Sequence, residues 1–87
     1  MARKKRVLVE VYHSCGYWWI RGREGRRRFQ VGHSEFTRLD AIRRAAAYCR
    51  FCRDDFGDLL ELRVRRLDGT WSKETRTYGD DPRKSKG

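Results

Sequence analysis

Few residues in this chain have the type and spacing that chemistry requires. Cys49-Arg50-Phe51-Cys52 sets two thiols at CxxC spacing, and His13 and Cys15 stand close together in a turn-like stretch. Zinc takes four nitrogen or sulfur ligands in a tetrahedron. A second pair with matching spacing is missing, and Cys49 and Cys52 fall inside a helical pattern. Buried free cysteines are common, so both thiols read as core-facing. Zinc at Cys15, Cys49 and Cys52 is the weaker alternative that the pattern leaves open. A thioredoxin-like redox pair is weaker still, because this CxxC does not open a helix after a strand. His13 and His33 have no evident nucleophile partner, and Asp54, Asp55 and Asp58 read as a helix end rather than a cation site. No glycine loop of the phosphate-cradling kind appears. No acid–base pair can be assembled, so neither an enzyme nor a cofactor is expected.

Arginine is the other conspicuous residue. The 87 residues hold 22 Lys and Arg against 12 Asp and Glu, a net charge of +10. Only Lys4, Lys5, Lys73, Lys84 and Lys86 are lysines, so arginine dominates. Its planar fork grips phosphate and carboxylate and stacks on flat rings. Such a balance points to an anionic partner: nucleic acid, an anionic membrane surface or an acidic protein. Arginine bias from genome composition and charge kept for solubility are the plainer explanations. The opening Met1-Ala2-Arg3-Lys4-Lys5-Arg6 does not read as a secretory leader, and no apolar stretch reaches membrane-span length. Reduced thiols and a cytoplasmic location are the expectation.

The length suits one domain. Residues 1–5 read as a basic arm, 6–82 as the domain and 83–87 as a disordered basic tail. From Arg6, Val7, Val9 and Val11 alternate with Leu8, Glu10 and Tyr12, the period of a strand with one buried face. His13-Ser14-Cys15-Gly16 reads as a turn. Tyr17–Arg21 follows as a strand, with Trp18 and Ile20 on one face and Tyr17, Trp19 and Arg21 on the other. Gly22-Arg23-Glu24-Gly25 reads as the next turn, and 26–31 as a third short strand. Ser34 or Thr37 can cap a helix, and Thr37-Arg38-Leu39-Asp40 has capping-box spacing, with Asp in place of the usual Glu or Gln. Leu39, Ile42, Ala45, Ala46, Cys49 and Cys52 then recur at helical spacing, ended by Asp54, Asp55 and Gly57. Leu59–Arg66 alternates again, Asp68-Gly69 is a hairpin signal, and 70–78 closes the set. This order predicts an α+β two-layer sandwich. An antiparallel sheet, β-β-(β)-α-β-β, would carry one helix on the face with the three valines, Trp18, Ile20, Leu60, Leu62 and Val64.

Thr37-Arg38-Leu39-Asp40-Ala41-Ile42-Arg43-Arg44-Ala45 and the ending Asp68-Gly69-Thr70 through Arg76-Thr77-Tyr78-Gly79-Asp80-Asp81-Pro82 resemble a short bacterial family called domain of unknown function 2188. Its members show a Trp-containing second strand (here Tyr17-Trp18-Trp19-Ile20), a helix opening Thr-x-x-x-Ala-Ile and a close like Tyr-Gly-Asn-Asp-Pro. Asp80 stands here where Asn is usual, and the arginine content and the cysteines are departures. The resemblance spans roughly residues 7 to 82. It implies a fold and a bacterial or phage origin, and no mechanism. A weaker similarity to the HicB-like antitoxins rests on two strands, a Gly-rich loop and an Ala-rich helix. Their partner toxins cleave RNA with a His beside a Gly-rich strand, for which Gly32-His33 would be the counterpart, in a different element order.

With the strands so drawn, Tyr12, Tyr17, Trp19, Arg21, Arg63 and Arg65 share the face away from the helix. Rings on an open sheet let bases stack, and interleaved arginines hold phosphates. Packing of those rings on each other or on a dimer partner is the plainer alternative. A hairpin tipped by Arg23, Arg26, Arg27 and Arg28 offers further phosphate contacts, supported by Arg3 in the arm. The expected function is binding of nucleic acid, RNA or DNA, without sequence specificity. The alternative is a protein-interaction module, phage or accessory protein or assembly subunit, docking an acidic partner with Trp19 as anchor.

Overall fold

The alternation that begins at Arg6 becomes the central strand of a five-stranded sheet. The computed structural model describes residues 6–79. The basic arm with Arg3, the end of the closing signature (80–82) and the basic tail lie outside the described residues. β1 (Arg6–Ser14) pairs antiparallel with β2 (Tyr17–Glu24), which pairs antiparallel with β3 (Arg27–Gln30). α1 (Arg38–Phe56) follows, then β4 (Leu59–Arg65) and β5 (Trp71–Tyr78), which pair antiparallel. The spatial order is β3-β2-β1-β4-β5.

The α+β class and the single covering helix are as expected, but the sheet is mixed. β1 and β4 run parallel, with Val7 beside Leu60 and Val11 beside Val64. Direction parity is the reason. Three strands in succession leave the chain travelling in the sense of β1, α1 carries it back, and β4 sets out in the β1 direction again. A parallel neighbour needs such a crossover and cannot be made by a tight turn.

Val7, Val9, Val11, Trp18 and Ile20 face the helix together with Leu60, Leu62 and Val64, all buried. α1 answers with Ala41, Ile42, Ala45, Ala46, Cys49 and Cys52. Leu39 does not join them and is 55% exposed. At 100° per residue it stands on the flank of that stripe. Thr37 is the N-cap, its hydroxyl accepting from the Asp40 amide at 3.1 Å, and Gly57 closes the helix in the left-handed region, donating to the Arg53 carbonyl at 3.0 Å. Capping of this kind contributes about 1 kcal/mol at the N-terminus.

Two turn assignments move. β1 runs on to Ser14, and only Cys15 and Gly16 turn, with φ of 53° and 84°. Two positive φ values in succession suit the twist of a two-residue hairpin. Gly22 lies inside β2, not in a turn. A Cβ there would stand 2.4 Å from Phe29 Cζ, so the ring of the opposed strand occupies the place of a side chain. β4 and β5 join through a loop in which Asp68 accepts from the Thr70 amide at 2.9 Å and the Thr70 hydroxyl at 2.7 Å. Those bonds hold the Asp68 carboxyl below the usual aspartate range.

Candidate nucleic-acid interface

The second sheet face has no helix on it. Register places Leu8, Glu10 and Tyr12 of β1 beside Arg23, Arg21 and Trp19 of β2. On the other side, Glu61 and Arg63 of β4 stand beside Leu8 and Glu10. Arg28 of β3 lies across from Arg23, and Trp71 of β5 across from Arg65. The face therefore brings together Trp19, Arg21, Arg23, Arg28, Arg63 and Arg65 of the expected set.

Glu10 is the residue that organises it. Its side chain is 11% exposed, with its oxygens shared between two arginines. Arg21 Nε donates to Oε1, and Arg65 Nη2 lies 3.5 Å from Oε2. The Arg21 guanidinium also sits 4.4 Å over the Tyr12 ring, and that of Arg65 sits 4.2 Å over Trp71. Arg65 Nη1 donates to the Gly69 carbonyl at 2.9 Å. Arg63 donates to Glu61 at 2.9 Å and lies 5.6 Å from Trp71. Each of these cations is thus held against a ring and beside a carboxylate or carbonyl. An arginine already fixed in this way loses little further rotamer freedom on meeting an anion. Between them lies an open hollow of about 310 Å³, bordered by Leu8, Arg21, Arg23, Arg28, Arg63 and Trp71.

The face has an aromatic end and a cationic end. At the first, Tyr17 packs on Trp19 at 6.5 Å and on Phe36 at 5.6 Å, and Trp19 Nε1 donates to the Ser14 carbonyl at 2.8 Å. Phe36 is 81% exposed. It is held there because its neighbour Glu35 pairs by backbone with Trp18 and by side chain with Arg44 of α1. At the second end the arginine tip divides. Arg23 and Arg28 stay on the open face, Arg26 sits in the turn, and Arg27 points to the helix side, its guanidinium 5.8 Å from the Phe29 ring.

The reading of the sequence missed Glu10, Trp71 and Phe36. Glu10 was visible as the acid among outward positions of β1. Trp71 was not placed by the Asp68-Gly69 signal, because a two-residue turn there would set it across from Arg66, whereas the bulged pairing of β4 and β5 sets it across from Arg65. Phe36 carries no periodic signal, since a single backbone bridge fixes it.

The remaining candidates fall elsewhere. Cys49 and Cys52 are buried against the sheet, and Cys15 is exposed at the β1–β2 turn. Burial pushes the Cys49 thiol up to about 12, with Cys52 adding to the shift. His13 packs edge-on against Trp18 at 5.1 Å. Among the described residues no three His, Cys, Asp or Glu side chains are placed to hold a metal. A thiol-selective alkylating reagent is expected to label one cysteine, Cys15, in the folded protein and all three in denaturant. Native labelling of Cys49 or Cys52 at the Cys15 rate would mean that the helix does not seal the core. His33 is exposed, its Nδ1 lying 2.8 Å from the Ser34 carbonyl and 3.8 Å from Glu35. Among the described residues no helix is long and apolar enough to cross a membrane. Compared with protein families, curated proteins and solved structures, the chain matches none.

Proposed function

We propose that this domain binds nucleic acid without sequence preference, laying the strand across its open sheet face. The alternation of fixed guanidiniums with aromatic rings on that face carries the reading. Arg21 on Tyr12 and Arg65 on Trp71 present charge and flat surface together, the combination that backbone phosphates and splayed bases require. Stacking supplies affinity that tolerates sequence, because every base has a π-face. Arg26 in the turn, with Arg23 and Arg28 beside it, adds phosphate contacts that fix position. The role is binding without catalysis.

The test is fluorescence anisotropy of labelled single-stranded RNA, single-stranded DNA and duplex DNA over a range of salt. Micromolar or tighter binding that falls steeply with salt is expected, with single strands ahead of duplex. Replacing Arg26, Arg27 and Arg28 together by Ala should weaken binding and reduce the slope of log K against log salt by up to about 1.4, at roughly 0.7 per phosphate contact on a single strand for Arg26 and Arg28, since Arg27 faces the helix side. An unchanged slope removes the hairpin from the interface. Weak binding, equal for all three probes, sinks the reading.

A second reading is a protein-interaction module docking an acidic partner, and Phe36 favours it. An apolar ring 81% exposed beside Tyr17 is a better anchor for a protein than for a phosphate backbone. A stoichiometric protein partner that survives nuclease treatment would favour this second reading.

A further inference from the structure

We propose that Arg23 and Arg28, with the Nη nitrogens of Arg21, form a discrete site for one phosphate group at the β2–β3 end of the open face. The site deepens the nucleic-acid reading, on which it rests for the identity of the ligand as a backbone phosphodiester. Its physical basis is a like-charge pair. Arg23 and Arg28 are directly opposed across the two strands and on the same side of the sheet. Like charges so placed cost stability. On the reverse side the next opposed pair, Glu24 with Arg27, is of opposite charge, so the strands are able to carry a matched pair and do so one residue away.

The two side chains are also unspent. Among the described residues, Arg44, Arg63 and Arg65 each meet a carboxylate, whereas Arg23 and Arg28 make no hydrogen bond or ion pair. Arg21 is tied through Nε to Glu10 and stacked on Tyr12, and its Nη atoms make no hydrogen bond among the described residues. All three arginines border that hollow, with Leu8 beside them. Glu10 also lines the hollow, but its charge is already shared by Arg21 and Arg65, and Glu61 on the same face is held by Arg63. An anion with several acceptor oxygens would bridge the two free forks and cancel their repulsion, and phosphate has the geometry for it. A charged pair kept only to guard the edge strand from other strands is the competing explanation.

The experiment measures thermal unfolding of the parent, Arg28→Gln and Arg43→Gln, in chloride and in pyrophosphate of equal ionic strength. Arg43 is exposed on α1, away from the site. In chloride, Arg28→Gln should melt about 1–4 °C above the parent, because the repulsion is gone. Pyrophosphate should raise the parent and Arg43→Gln by several degrees and Arg28→Gln by less than half as much. Equal responses in all three overturn the site and make the effect one of net charge. A less stable Arg28→Gln in chloride overturns it too, as does a parent that pyrophosphate leaves unchanged, which is the edge-guard result. Oligonucleotide titrations of the parent separate the two ideas. A selective pyrophosphate response without oligonucleotide binding refutes the nucleic-acid reading and keeps an anion site. Oligonucleotide binding with uniform pyrophosphate responses keeps the reading and refutes the site.

Discussion

Glu10→Ala is expected to destabilise the domain by about 1–3 kcal/mol, the range for leaving a buried hydrogen-bonding group without its partner. For a domain of this length that is a fall of roughly 5–20 °C in melting temperature. Two magnitudes compete here. Ion pairs in open solvent are worth about 0–1 kcal/mol. A carboxylate removed from beneath partly buried cations leaves them uncompensated and costs more. The larger figure governs because Glu10 itself is 11% exposed and serves two guanidiniums, although both arginines keep solvent contact at 43% and 32%. Arg65 adds to the cost: its Nε is already buried without a partner among the described residues. Glu10→Gln keeps the shape and one acceptor, so it should fall between parent and alanine variant. Melting temperatures within about 2 °C of the parent for both variants would mean that the face is screened by water and that rings alone position the arginines.

The same residue shows where sequence reasoning stops. That Glu10 faces away from Val9 and Val11 follows from local alternation, which survives whatever the neighbours are. That it lies between Arg21 and Arg65 depends on the register of β1 with β2 and on β4 lying next to β1. The second condition required the direction parity of the whole β-β-β-α run, which turns on whether the short third strand is counted. An assumed antiparallel sheet would have put different residues beside Glu10. Trp71 was hidden for the same reason: its partner Arg65 is set by a bulged pairing between β4 and β5. Gly22 failed differently. A glycine between polar residues signals a turn and equally signals a close approach, and only the Phe29 ring on the opposed strand decides between them. The helix stripe apart from Leu39, and the buried faces of β1, β2 and β4, needed no such long-range knowledge and stand as read, and of the two cap candidates the chain uses Thr37.

The ending Tyr78-Gly79 supplies the second large effect. Gly79→Ala is expected to cost about 2–4 kcal/mol, a large part of the roughly 4–13 kcal/mol that a domain of this length has in total. One component is conformational: Gly79 has φ of 79°, and a side chain in the left-handed region costs about 1–2 kcal/mol. The other is contact. An added Cβ would stand 2.2 Å from the Asp58 carbonyl oxygen and 3.2 Å from Leu59 Cα, both backbone, so no side chain can swing aside. Asp58 is 8% exposed and sits between the α1 cap and β4, where neither neighbour yields easily. Relief must come from lifting the end of β5, which loosens Tyr78 from the core and from Arg53, now 6.0 Å from its ring. Gly69→Ala provides the comparison, since φ there is 91° with nothing within 4 Å of the added carbon. Urea unfolding should show Gly79→Ala losing about twice what Gly69→Ala loses, with little change in the denaturant slope. Equal losses would mean that the strand end gives way freely, and that Gly79 serves the turn rather than the docking of β5 on β4.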